Sequence, residues 1–295
     1  MKTRLGIFAA ALLLLPFAGL LLGGGEWDGL SVAALPANGE IAATVLIALA
    51  LLCCLLLANL IVTLRTGNNP LKVQRNYFLA VGLAGSALGW LLVYLNRYAA
   101  SWSTAQDGAF VQILLDSALF ALATPAVLSI RALLGSFGGL LKRLAQGISI
   151  PAPSPETAAF GLIPPVVLGL LGGAAWPAQL FWLMWLAPLL LLVALQLLWN
   201  ESTIFSGLKY GDWGRVTCAA LAGLIVGNLA VSGYRAAGGG LFFNLPNPLF
   251  AQLGFALFGL LCLQLGDIIA EQWRGKTRAQ VSGRKPFPIP VNVKK

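Results

Sequence analysis

The chain has 295 residues, of which 58% are hydrophobic and only 10% charged, and it carries a net charge of +9 with no histidine. A soluble domain has about 25% charged residues, so this composition excludes a water-soluble globule and makes lipid the expected solvent. Lack of histidine excludes histidine-based triads, bis-histidine haem ligation and the commonest metal ligand. The cysteines Cys53, Cys54, Cys218 and Cys262 lie in apolar runs with no Cys-x-x-Cys spacing. They read as small buried apolar residues. There is no P-loop lysine pattern and no G-x-S-x-G, so no catalytic residue, metal or cofactor is expected.

Eight apolar segments follow in chain order: 5–24, 41–64, 77–97, 109–134, 158–176, 178–199, 216–234 and 248–270. Most are long enough to cross about 30 Å of hydrocarbon as helices. The first resembles a signal peptide, "MKTR" followed by an apolar run. That run is longer than an h-region of about 7–15 residues, and it reads as a retained helix. The fifth and sixth are separated only by Trp176, Pro177 and Ala178. A tight helical hairpin and one long buried run compete there. If both termini are cytoplasmic, all but Arg97 and Arg235 of the 19 Lys and Arg lie in cytoplasmic segments. That asymmetry is what the positive-inside rule requires.

Two stretches recur. "PFAGLLLGGGEW" (16–27) aligns with "PVVLGLLGGAAW" (165–176), matching Gly23, Gly24 and Trp27 to Gly172, Gly173 and Trp176. "LAGSALGWLLVYLNRYAA" (83–100) aligns with "LAGLIVGNLAVSGYRAA" (221–237) at an offset of 138. Gly85, Gly89 and Arg97 then fall on Gly223, Gly227 and Arg235. The expected fold is an all-α polytopic membrane protein of eight transmembrane helices. They form a 4+4 tandem, parallel repeat with a pseudo-two-fold axis along the membrane normal and both termini inside. The expected divisions are a first repeat (1–134), a cytoplasmic linker (135–157), a second repeat (158–271) and a basic tail (272–295). A short interfacial helix is expected near 140–145.

Glycines three or four apart, Gly82, Gly85 and Gly89 and then Gly223 and Gly227, predict close helix packing. Asp116 lies inside the fourth segment, where a carboxylate is costly and a functional role is the default hypothesis. Pairing with Arg97 or Arg235 is the structural alternative. Intramembrane amides at Asn59, Gln196 and Asn228, with Gln112, Gln252 and Gln264, suit either a polar pathway or interhelical hydrogen bonds. The triglycine Gly238–Gly240 reads as a flexible outer loop.

The connection "LLWNESTIFSGLKYGDWGRV" (197–216) aligns with "LIVTLRTGNNPLKVQRNYF" (60–78). The first copy is basic, with Arg65 and Arg75; the second adds Glu201 and Asp212. Across a two-fold axis an ion pair between these acids and those arginines is expected. Asn200–Ser202 matches a glycosylation sequon but falls on the cytoplasmic side.

The bilayer is the first expected partner. The basic tail suits anionic lipid headgroups or an acidic protein, such as a partner in a membrane complex, and lacks the stacking aromatics that nucleic acid would call for. A bacterial-type inner membrane is the expected location. Three classes of function fit: a permease with a polar route between the halves; a membrane scaffold or subunit docking partners through its loops and tail; or an intramembrane lipid-modifying enzyme using Glu201 and Asp212. The permease reading leads, and an enzyme is the least favoured.

Overall fold

A computed structural model describes residues 39–104, 110–151, 153–199 and 201–273. The first apolar segment, Asn200 and the tail from residue 274 lie outside the described residues. The remaining seven predicted segments are all helices long and apolar enough to span a bilayer. They are α1 (Gly39–Thr66), α3 (Arg75–Ala99), α4 (Phe110–Gly135), α6 (Pro155–Ala175), α7 (Pro177–Leu198), α8 (Gly214–Ala236) and α9 (Pro248–Trp273). Two short helices, α2 (Pro70–Val73) and α5 (Gly138–Leu144), lie in connections. The chain is an integral, multi-spanning membrane protein.

Local chemistry sets the helix ends. Glu40 lies in the first turn of α1 and Arg65 in its last, each opposing the end charge of the helix dipole. Ser154 caps α6 by accepting from the Thr157 amide at 3.2 Å, with Pro155 at the first helical position. Pro164 and Pro165 then supply no N–H, and the ladder widens into a π turn over Leu168–Gly172. Trp176, restricted by Pro177, takes an extended conformation (φ −132°, ψ 67°) and breaks the run. The fifth and sixth segments are therefore a helical hairpin, α6 against α7.

Helix packing runs through both parts of the chain. α4 packs on α1 and α3, and α9 packs on α7 and α8. Between the parts, α8 packs on α1 and α4, and α3 packs on α7 and α9. Small residues make these approaches close. A Cβ on Gly85 would lie 2.4 Å from Thr124 Oγ1, and one on Gly89 2.2 Å from the Phe120 ring. Gly223 and Gly227 sit the same way, with added Cβ atoms 2.2 Å from the Phe255 carbonyl and 2.5 Å from its ring. Pro125 deprives the Ala121 carbonyl of its helical donor, and the bare backbone of Gly82 lies against that oxygen. Two apolar clusters fill the interior. One joins Ile47, Leu51, Ala126, Val127, Val226 and Leu229; the other joins Leu88, Leu189, Val193, Ile204, Ala219 and Leu261.

The α3–α4 and α8–α9 connections carry short strands, β1 (Trp102–Thr104) and β2 (Leu241–Phe243). They pair antiparallel in the register Trp102↔Phe243, Ser103↔Phe242, Thr104↔Leu241. This ladder marks the strand end of the bundle. At the opposite, linker end, the 201–213 loop holds the linker between the two parts. Trp213 donates from its amide to the Leu144 carbonyl (3.0 Å) and from Nε1 to the Ile148 carbonyl (2.9 Å). Gly147 N–H donates to Gly211 O and Ile150 N–H to Leu208 O, both at 3.0 Å. Gly211 has φ +77°, and a Cβ there would lie 2.5 Å from the Gly147 carbonyl, so both conformation and contact require glycine.

Candidate functional site

Hydrocarbon offers no water to a buried polar group, so each one must find a partner or carry a penalty of several kcal/mol. Following the buried polar groups therefore locates the candidate site, in which Glu40–Tyr234 and Thr124–Cys262 cross the seam between the two parts of the chain and buried amides bridge helices within each part.

At the strand end, the first turns of α1 and α4 meet the last turn of α8. Glu40 on α1 accepts from the Tyr234 hydroxyl of α8 through one oxygen and from the Gly240 amide (2.8 Å) through the other. Thr44 donates to the Glu40 carbonyl at 2.9 Å. Gln112 on α4 then bridges the helices, its Nε2 donating to Thr44 Oγ1 and to Asp116 Oδ1, each at 2.9 Å. The side chain of Gln112 is only 4% exposed, and its Oε1 has no partner.

Further along, fully buried Thr124 on α4 accepts from the Cys262 thiol of α9 at 3.6 Å. Nearer the linker end are two buried pairs. Asn59 Nδ2 on α1 donates to Ser129 Oγ on α4 (2.7 Å) and to the Leu55 carbonyl (2.8 Å). Gln264 on α9 donates to Gln196 on α7. Asn59 Oδ1, Gln196 Nε2 and Gln264 Oε1 are left without partners. Four of the five unpartnered buried side-chain atoms among the described residues are thus amide atoms inside the spans. At the linker end, Arg215 on α8 bonds Asp267 on α9 at 2.5 Å.

Several sequence-derived candidates sit elsewhere. Asn228 and Gln252 bond each other reciprocally, at 2.7 and 2.9 Å, on an exposed face of α8 and α9 rather than in the seam. The expected ion pair across the two loops does not form through Arg65 or Asp212; among the described residues neither has a salt bridge. Arg65 donates to Ser136 and lies over the Phe137 ring, while Asp212 accepts from the Gly214 amide at 2.9 Å and starts α8. A local cap and a neighbouring hydroxyl cost less chain ordering than a pairing between distant loops. Arg75 is exposed at the start of α3. Glu201 donates its amide to the Gln196 carbonyl at 2.9 Å. Asp116 bonds Gln112, not Arg97 or Arg235. Arg97 is exposed, and Arg235 donates to the Leu241 carbonyl and covers the Phe243 ring. The triglycine is structured through the Gly240–Glu40 bond rather than free.

Sequence reasoning missed Glu40 and Tyr234. Glu40 falls one residue before the apolar run begins, and Tyr234 is one aromatic among many. Their one sequence signal is an acid and a phenol at matching ends of two spans. Comparison of the chain with protein families, curated proteins and solved structures finds no match to any of them.

Proposed function

We propose that the chain is a permease-type membrane protein with a polar route between two homologous four-helix halves, seen in a closed conformation. The observation that carries this reading is the set of membrane-buried amides with unpartnered atoms at Gln112, Asn59, Gln196 and Gln264. A buried polar atom without a partner calls for an explanation such as water or a bound solute. The amides sit in the α1–α4 and α7–α9 helix pairs on either side of the seam that Glu40–Tyr234 and Thr124–Cys262 cross. A route lined by amides and hydroxyls, with carboxylates at the strand end and the Arg215–Asp267 ion pair at the linker end, suits a small polar solute.

The duplication is supported by the packing of the helices. Each packing of α1, α3 and α4 has its counterpart in α7, α8 and α9, including both cross-contacts. Asn59–Ser129 and Gln196–Gln264 also occupy equivalent helix pairs. In this reading residues 1–134 and 158–271 are the repeats, the first apolar segment is the eighth span, and 135–157 is a cytoplasmic linker ahead of a cytoplasmic tail at 272–295. The positive-inside pattern then puts the strand end outside, and Glu40, Tyr234 and Gly240 form the latch that closes the outer mouth. A bacterial-type inner membrane remains the proposed location, and the tail the proposed contact for an acidic partner.

A second reading, a membrane-embedded scaffold, is favoured by the apolar clusters that close the centre of the bundle. Protein-containing vesicles separate the two. A permease gives protein-dependent swelling in at least one of a series of small polar solutes, such as polyols, urea and amino acids. Swelling no faster than in empty vesicles across the whole series contradicts the permease. Asp116→Asn with unchanged protein level and unchanged flux would remove Asp116 from the route.

A further inference from the structure

Outside the seam, the linker end carries a second feature that the proposed route does not use. A groove of about 520 Å³ opens between the last turn of α1 and α5, lined by Arg65, Phe137, Gly138, Gly139, Leu140 and Arg143. We infer that this groove binds the phosphate headgroup of an anionic phospholipid.

The chemistry of the walls points to that occupant. Arg65 is held in place rather than free. Its Nε donates to Ser136 Oγ at 3.0 Å, an Nη donates to the Ser136 carbonyl at 3.4 Å, and its guanidinium lies 4.1 Å from the Phe137 ring centroid. A guanidinium has five N–H donors, so three remain for a ligand. Arg143 comes from the other wall, and no carboxylate lines the groove. Among the described residues neither arginine has a salt bridge. Two arginines without an acid form the planar, fork-shaped donor set that suits phosphate oxygens.

The floor and position complete the fit. Gly138 and Gly139 have no atom within 4 Å of an added Cβ, so a ligand can approach their backbone. Phe137 and Leu140 give the groove an apolar side. It sits where the membrane-spanning α1 and α4 end. A lipid meets both conditions at once, headgroup on the arginines and glycerol and upper chain on Phe137 and Leu140. A soluble phosphate uses only the first.

The test is native mass spectrometry of the purified full chain, titrated with phosphatidylglycerol and with phosphatidylcholine of the same acyl chains. Wild type binds phosphatidylglycerol more tightly. Arg65→Gln with Arg143→Gln weakens phosphatidylglycerol binding about thirtyfold, from the usual contribution of a basic side chain near a lipid surface, and leaves phosphatidylcholine binding unchanged. Arg274→Gln with Arg278→Gln removes the same charge from the tail and leaves the preference intact. If the double groove variant fails to fold, Phe137→Ala reads the same site and also weakens phosphatidylglycerol binding. The inference is overturned if the tail variant loses the preference while the groove variants keep it. It is equally overturned if millimolar inorganic phosphate displaces phosphatidylglycerol completely, which would make the ligand a soluble anion.

Discussion

Gln112 concentrates the argument at the scale of the residue. It ties α4 to α1 through Thr44 and holds Asp116, yet keeps an unpartnered oxygen in a membrane interior. A purely structural amide would be replaced at a loss of about 1 kcal/mol per hydrogen bond. A functional one carries a penalty in the folded state that its removal relieves. Gln112→Leu is therefore expected to leave the melting temperature unchanged or raised while abolishing solute flux. A fall in melting temperature accompanied by normal flux would reassign the residue to structure. Sequence alone marked Gln112 and Asp116 as polar groups in an apolar run, but not their contact with each other. Four residues apart, they share a helix face, a spacing that could have been read. Glu40 and Tyr234 could not, because only the folded chain brings residues 194 positions apart into contact.

At the scale of the element, glycines decide how closely the helices approach. Gly223 meets the Phe255 carbonyl and Gly259, whereas Gly254 on the neighbouring helix has open space. Alanine should therefore act in opposite directions at the two positions. Gly254→Ala stabilises by about 0.5–1 kcal/mol through helix propensity. Gly223→Ala forces α8 and α9 apart and destabilises by about 1–3 kcal/mol, as overpacking does. Thermal melts in one detergent read both signs; two shifts of the same sign would contradict the packing. Seven of the eight apolar segments were legible with close boundaries, because lipid leaves helices few alternatives. The glycine spacing likewise foretold the close approaches. The acidic character of the 201–213 loop suggested an ion pair with the first loop, but Asp212 instead accepts from the Gly214 amide and Trp213 clasps the linker. Linker strapping leaves no periodic signature in sequence, which is why it was not foreseen.

Across the whole molecule, the mirrored packings support the proposal of two repeats meeting at a seam, and the β1–β2 ladder ties the two parts together at one end. In a cysteine-free background, Ser103→Cys with Phe242→Cys should form a disulfide on mild oxidation. Directly opposed antiparallel residues have Cα atoms about 4.5–5.5 Å apart, within disulfide range. The register was beyond reach from sequence, since three-residue strands in long connections give no alternation to read. The proposed repeat rests, in the sequence, on the paired glycines and arginines.

The central claim is that the seam, although closed in this structure, opens to water. Single cysteines at Gln112, Asn59, Gln196 and Gln264, with controls at the exposed-face positions Asn228 and Gln252, can be tested in intact membranes with a small, charged thiol reagent. The permease account predicts labelling at the seam positions and little at the two controls. Seam cysteines that stay unlabelled from both sides would contradict it and leave a sealed scaffold.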